Sequence, residues 1–361
     1  MPKSFEKFSP IEKEKSPEQA KEEESLGLVR EIEEIKERMA KEGETIEGYQ
    51  EITKLLKQIE VLYGKPKVEW EKIEGLEKIF SKDFEEPIYS PSFSPTGDRI
   101  MVREGDTSLK IYDLKGKEVF SKYFEKGISW PSFSPTGDKI MVREGNNGLK
   151  IYDLKGNEIL SKNFEEIIYY LSFSPTGDNN ILVNEGTEGL RIYDLKGEEV
   201  FSKDFGKTID YPSFSPSSRE IMLREGLRRL KIYDLKGKKI FSKKFEETIL
   251  DLTFSPTGDK IMLREGGNGL RICDPEGNEI LSKDFEKNMD CPSFSPTGDK
   301  IMLREGTNDL KIYDLKGNEI FSKDFENPIY YPSFSPTGDK IMVREGNNGL
   351  RIYKIKGRKR K

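Results

Sequence analysis

Residues 130–164 read WPSFSPTGDKIMVREGNNGLKIYDLKGNEILSKNF, and the same wording returns with small changes along most of the chain. The phrase SFSPTGD begins at Ser92, Ser132, Ser172, Ser293 and Ser333. Variants begin at Ser213 (SFSPSSR) and Thr253 (TFSPTGD). Seven copies therefore follow one another at spacings of 40, 40, 41, 40, 40 and 40 residues. The one extra residue falls in DNNIL, residues 178–182, where other copies read DKIM or DRIM. A fixed period of this length marks a repeat architecture, in which each unit buries its apolar faces against its neighbours.

Each copy divides into four runs of strand character, named a to d here. In residues 130–164 these are WPSFSP, KIMVRE, LKIYDL and EILSKNF, rich in Ile, Val, Phe and Tyr. Pro-Thr-Gly-Asp separates a from b, GNNG and its variants separate b from c, and LKGN or LKGK separates c from d. Four antiparallel strands in about 40 residues form one blade of a β-propeller. The expectation is an all-β, seven-bladed β-propeller of four-stranded antiparallel blades.

The last copy stops after strand c, at LRIYKIKGRKRK, and the missing strand d stands at the other end of the propeller region as EKIFSKDF, residues 77–84. The N-terminal strand is thus expected to complete blade seven beside strands a–c at 329–354. That would close the ring by main-chain hydrogen bonds and remove an open edge. Strand d carries a lysine in every copy (Lys82, Lys122, Lys162, Lys203, Lys243, Lys283, Lys323), read as a charged edge that resists sheet-to-sheet aggregation.

The unit FSPTGDKIMVREGNNGLKIYDL, residues 133–154, resembles the WD-repeat propeller unit, with Tyr-Asp in the place of Trp-Asp. Tyr112-Asp113, Tyr152-Asp153, Tyr193-Asp194, Tyr233-Asp234 and Tyr313-Asp314 match. Copy five departs with Cys273-Asp274 and the last with Tyr353-Lys354. The resemblance spans roughly 77–356. The Gly-His signature of that family is missing, because the chain has no histidine. The resemblance implies a rigid scaffold for protein contacts without catalysis, and the family's histidine-centred hydrogen-bond network cannot form here.

The a–b and c–d turns hardly vary between copies, whereas the d–a and b–c loops do. In an up-and-down blade the two kinds of connection lie on opposite faces, so one face is monotonous and the other diversified. On the diversified face, the two residues before the Pro or Leu of strand a should ring the channel mouth: Tyr89-Ser90, Ser129-Trp130, Tyr169-Tyr170, Asp210-Tyr211, Leu250-Asp251, Asp290-Cys291 and Tyr330-Tyr331. Exposed Tyr and Trp are enriched at interaction hot spots, so a protein or peptide partner is expected there. Drift among duplicated loops is the plainer alternative, and a small ligand or carbohydrate held, and even hydrolysed, at the acid–aromatic mouth is another. On blade four the b–c tip Leu227-Arg228-Arg229 is either a grip for an acidic partner or a solvated loop. Strand b ends in Arg-Glu-Gly in six copies (Arg103, Arg143, Arg224, Arg264, Arg304, Arg344), with Asn184 in the seventh. Each arginine is expected to pair with Glu or Asp of its own or the next blade, a central anion being the alternative. Asp210, Asp251 and Asp290 are too loosely spaced to define a metal site.

The net charge of −5, with charged residues at 35%, lacks the basic excess of a nucleic-acid binder. Without histidine the commonest general base and metal ligand are both missing, so no enzyme activity and no cofactor are expected. Two cysteines, Cys273 and Cys291, do not make a disulfide framework. No run approaches the ~18 apolar residues of a membrane helix, and the N-terminus has no secretory pattern, so a cytoplasmic location is expected. Residues 1–16 read as disordered. Residues 17–63 read as an α-helical hairpin, from the stripes Leu26, Val29, Ile32, Ile35, Met39 and Ile46, Tyr49, Ile52, Leu56, Ile59, Tyr63. Such a hairpin would dock on the propeller or self-associate. A linker at 64–76, the propeller at 77–356 and a basic tail at 357–361 complete the expected organisation.

Overall fold

The computed structural model describes residues 70–359 and, in the N-terminal region, residues 27–28, 30–32, 34–35 and 37–39. The chain divides into two compact units, Met1–Lys65 and Pro66–Lys361. In the first, every described residue is helical, and Ile32, Ile35 and Met39 of the expected stripe are buried. The disordered stretch 1–16 and the second helix of the hairpin lie outside the described residues. Among the described residues, no helix is long and apolar enough to cross a membrane.

The second unit is a seven-bladed β-propeller, each blade a four-stranded antiparallel sheet in the order a-b-c-d. Blade one is Ile88–Phe93, Arg99–Glu104, Ser108–Asp113 and Glu118–Tyr123. Strand b shows why the sequence reads as it does. Ile100, Met101 and Val102 are three consecutive residues with no exposure, because this strand is covered on both faces by neighbouring blades. The core is accordingly seven seams, each built from two blades. Between blades seven and one, for example, Phe80, Phe84, Met342 and Ile352 pack with Ile88, Ile100 and Val102.

The turns are held by their own side chains. In blade one Ser94 Oγ donates to Asp98 at 2.8 Å and accepts from the Arg99 amide at 3.0 Å, while Gly97 takes φ 72°. Blade four reads Ser218-Arg219 instead of Gly-Asp. Ser218 tolerates φ 56°, and its hydroxyl shares a hydrogen bond of 2.6 Å with that of Ser174 in blade three. The inserted residue of blade three is absorbed in the same turn, where Asn179 adopts φ 61° and Ser174 N reaches Asn180 O, one residue further on than in other blades. At the c–d corner the Asp of Tyr-Asp is an Asx cap: Asp113 Oδ1 accepts the amides of Lys115 and Lys117, both at 2.9 Å.

Ring closure takes the expected form. Strand d of blade seven is the N-terminal strand, and Phe80 pairs with Ile352. Its extent is larger than the sequence indicates. The strand runs Trp70–Asp83 against Gly349–Lys359, so residues 70–76 of the expected linker and 357–359 of the expected tail belong to a two-stranded ribbon. Lys354 stands where most copies have the Asx-capping aspartate, and strand c of blade seven, whose partner comes from the other end of the propeller, runs on without a turn. The ribbon is anchored by Trp70, whose Nε1 donates to Gly338 O at 3.0 Å, and by Ile73 and Ile355, all buried with Met302 and Leu310 of blade six. Gly357 allows the strands to meet, since a Cβ there would lie 2.0 Å from Lys72 O.

The outer lysines are also more than edge charges. In six seams the strand d lysine lies 4.4–6.0 Å from the ring centroid of the strand c tyrosine of the next blade. That tyrosine packs edge-on to a phenylalanine at 5.2–5.8 Å, as Tyr112 does with Phe84. At the seam of blades four and five Cys273 takes the tyrosine's place and Phe245 loses the ring contact.

The seams set three expectations for stability. Trp70→Ala should cost about 3–5 kcal/mol of unfolding free energy, the usual range for emptying a buried Trp site. A truncation beginning at Phe84 should melt well below one beginning at Trp70, as followed by circular dichroism. Cys273→Tyr should rebuild the missing edge-on pair and raise stability by about 1 kcal/mol in urea denaturation.

Candidate functional site at the channel mouth

Strand a enters each blade through a bulge whose shape is set by one residue. In blades one, two, four, six and seven a proline follows the mouth residue. Ser90, Trp130, Tyr211, Cys291 and Tyr331 then adopt φ of 47–51°, with ladder pairing skipped around them. Proline has no N–H to offer the ladder, which confines it to such bulges. Blades three and five carry Leu171 and Leu252 instead. There Tyr170 pairs directly with Asn184 and Asp251 with Arg264, without the left-handed residue.

The six strand b arginines do not chiefly pair with carboxylates, as expected from sequence. Each sends Nη1 to a main-chain carbonyl of the next blade: Arg143 to Ile168 at 2.6 Å, Arg264 to Met289 at 3.0 Å, Arg304 to Ile329 at 2.7 Å and Arg344 to Ile88 at 2.7 Å, with Arg103 and Arg224 reaching Ile128 and Ile249. The side chains are staples between blades, and the planar guanidinium suits this role because it can donate along its edge while its face stacks. The stacking partners are the mouth aromatics. Tyr89 lies under Arg103 at 4.3 Å, Trp130 under Arg143 at 4.2 Å and Tyr211 under Arg224 at 5.0 Å. Tyr330 lies between Arg304 at 5.1 Å and Arg344 at 4.2 Å. Carboxylate pairing is confined to the acidic side, where Asp210 meets Arg224 at 2.5 Å and Asp290 meets Arg304 at 2.7 Å and Arg264 at 3.2 Å.

The mouth is therefore polarised. On blades seven, one and two, Arg344, Arg103 and Arg143 have no ion-pair partner among the described residues. Burial, followed by the charge of Arg103, lowers the Arg143 pKa. On the opposite side Asp251 is in no ion pair among the described residues, and its carboxylate accepts the Leu252 amide at 2.8 Å. Burial raises its pKa, outweighing the Leu252 amide and the Arg264 charge, which lower it, while the Asp290 charge adds a smaller rise. Among the described residues no three His, Cys, Asp or Glu are grouped to hold a metal ion. Asp251 faces a cavity of about 430 Å³ that also meets Tyr170, Tyr211, Ser213 and Ser293. The Ser213 and Ser293 hydroxyls are buried and have no hydrogen-bond partner. Burial, then Asp251, raises the pKa of the Tyr170 phenol.

The other expected site residues divide by exposure. Tyr169 (46%) and Tyr331 (41%) are exposed, as are Leu227, Arg228 and Arg229 on the blade-four tip. Tyr331 also lies 5.2 Å from the Arg344 guanidinium. Sequence reasoning missed the arginine–aromatic stack and the consequence of Asn184, the one strand b position where the stapling arginine is lost. The signal was present as a break in an otherwise regular column.

A family model matches residues 77–188 and again 180–266, together more than half of the chain. The chain belongs to the family of unknown function DUF5711. No curated protein matches it by sequence. Among solved structures, the β-propeller domain of Cps50 (Swd1) from Myceliophteria thermophila superposes with a TM-score of 0.68 at 14% identity, over 78% of this chain and 100% of that domain. At that identity the similarity is one of fold. Membership of DUF5711 brings no activity with it, so function has to be argued from the mouth.

A raised carboxylate pKa in the native state has a definite sign. The unfolded chain releases the Asp251 proton near pH 4, earlier than the native protein does, so stability falls as pH rises from there. Asp251→Asn should raise the melting temperature at pH 7, and the gain should vanish below about pH 4. Calorimetry across that range checks it.

Proposed function

We propose that the protein is a non-catalytic scaffold that binds a protein or peptide on the face built from the d–a and b–c loops. The observation that carries this reading is the polarised mouth: exposed and half-buried aromatics backed by unpaired arginines on blades seven, one and two, against carboxylates on blades four to six. Tyr and Trp bury large areas with few rotatable bonds, which lowers the entropic cost of binding. Arginines already held by carbonyls of the next blade lose little further freedom when a partner arrives. Segregated charge orients an incoming chain and speeds encounter more than it adds affinity. The fold shared with the Cps50 (Swd1) propeller is compatible with such a scaffold.

A second reading, a small or carbohydrate ligand, is favoured by the cavity beside Asp251, whose volume of about 430 Å³ falls in the range of ligand pockets. Selection of a displayed peptide library on the intact protein separates the two. Peptides recovered in this way should bind wild type in calorimetry and bind Tyr169→Ala/Tyr331→Ala at least about tenfold more weakly, as hot-spot truncations do. Recovery of no binding peptide, or equal binding by both proteins, would overturn the scaffold reading.

A further inference from the structure

The repeat supplies its own template for holding a cation. On blades one, two, four and seven, a guanidinium lies over an aromatic ring of the mouth, 4.2–5.0 Å from its centroid, while one of its nitrogens reaches a main-chain carbonyl of the next blade. Where acids are present, the same guanidinium takes one, as Arg224 takes Asp210 and Arg304 takes Asp290. Ring, cation and carboxylate recur as a set.

Blade three breaks the set. Asn184 stands where the arginine should be, directly paired with Tyr170, and turns its amide back to Gly186 O and Gly189 O of its own blade. Among the described residues no lysine or arginine lies over the Tyr170 ring, and the Ile209 carbonyl, 25 residues on, receives no guanidinium. Across the same cavity the Asp251 carboxylate is in no ion pair among the described residues, although the Arg264 charge, on the residue it pairs with in the ladder, is felt there. The wall also carries the Ser213 and Ser293 hydroxyls, unpartnered like the same serine in Ser92, Ser132, Ser172 and Ser333. An aromatic face without its cation and a carboxylate outside any ion pair thus meet in one cavity. Of the two, the carboxylate is the one that is costly to bury in this condition.

We infer that this cavity seats a cationic side chain, the guanidinium or ammonium of an arginine or lysine from a bound peptide, doing for Tyr170 and Asp251 what the repeat's own arginines do on the other blades. The inference deepens the scaffold reading and rests on it for the source of the cation. Tyr170 and Tyr211 would supply ring surface and Asp251 the charge, while Ser213 and Ser293 accept hydrogen bonds from the donors of the cation. Asn184 is then a specificity-determining residue: by being short, it leaves the seat to a partner.

Calorimetric titration with blocked Gly-Gly-Arg-Gly-Gly and its citrulline counterpart tests this on the intact protein. The arginine peptide should bind wild type, and the neutral citrulline peptide about tenfold or more weakly, as expected when a charge-assisted contact is lost. Asp251→Asn should weaken the arginine peptide to the same degree, and Asn184→Arg should abolish its binding by filling the seat from within. Circular dichroism and melting temperatures no lower than wild type would show that both variants fold. Asp251→Asn remains decisive if Asn184→Arg does not fold. No binding of the arginine peptide, equal binding of the two peptides, or wild-type affinity in Asp251→Asn would overturn the cation seat. Library-selected peptides that depend on Tyr169 and Tyr331 but not on Asp251 would overturn the seat and leave the scaffold reading standing. Asp251-dependent arginine binding without any peptide that needs Tyr169 or Tyr331 would preserve the seat as a small-cation site and remove the scaffold.

Discussion

Main-chain pairing between Trp70–Asp83 and Gly349–Lys359 is the constraint on which the rest of the molecule depends. Each seam of the core is shared by two blades, so a ring left open would expose two half-seams of Ile, Met, Val and Leu to water. The pairing closes the last seam with the same residues that close the others: Phe80 and Phe84 stand in blade seven where Phe120 and Phe124 stand in blade one. The ribbon beyond the blade adds Trp70, Ile73 and Ile355, so the closure is reinforced where both strands have left the repeat. A solenoid would have needed polar caps at its ends; here each end is the other's neighbour.

Given a closed ring, five of the seven seams have the same three layers, the arginine being lost at Asn184 and the tyrosine at Cys273. Nearest the channel, an arginine reaches a carbonyl of the next blade. In the middle lies the aliphatic core. At the rim, lysine, tyrosine and phenylalanine stack. A geometry repeated around the ring makes each departure informative. The departures gather on blades three to five: Leu171 and Leu252 in place of proline, Asn179 as the inserted residue, Asn184 in place of arginine, Ser218-Arg219 in place of Gly-Asp, and Cys273 in place of tyrosine. The cavity and its unpaired carboxylate border this same sector. Local rules tend to be broken where stability is traded for function, and a scaffold whose other seams are regular can carry the cost of a few irregular ones.

The two halves of the mouth are physically different recognition surfaces. Across blades six, seven and one, Arg304, Tyr330, Arg344, Tyr89 and Arg103 alternate as a stack, which fixes both the charges and the rings before any partner arrives. On blades four to six, Asp210 and Asp290 are already satisfied by arginines while Asp251 is not. The difference lies in partners, since the residue types on the two sides overlap.

The sequence by itself determined the strand pattern, the number of blades, the glycine and aspartate chemistry of the turns, and the closure by an N-terminal strand. All of these follow from a period of about 40 residues and from contacts within one blade or between identical copies. It also placed Tyr89, Trp130, Tyr211, Tyr330 and the three aspartates together at one mouth, because loop position follows from strand order. Only the tertiary structure decided what those residues do. The arginines of strand b reach a carbonyl 25 residues away on another blade, the lysines of strand d lie over a tyrosine of the next blade, and the strands run on to Trp70 and Lys359 where Lys354 stands in place of a turn cap. Such contacts cross from one sheet to the next at distances and angles set by how the blades pack, and a one-dimensional pattern holds no record of that geometry.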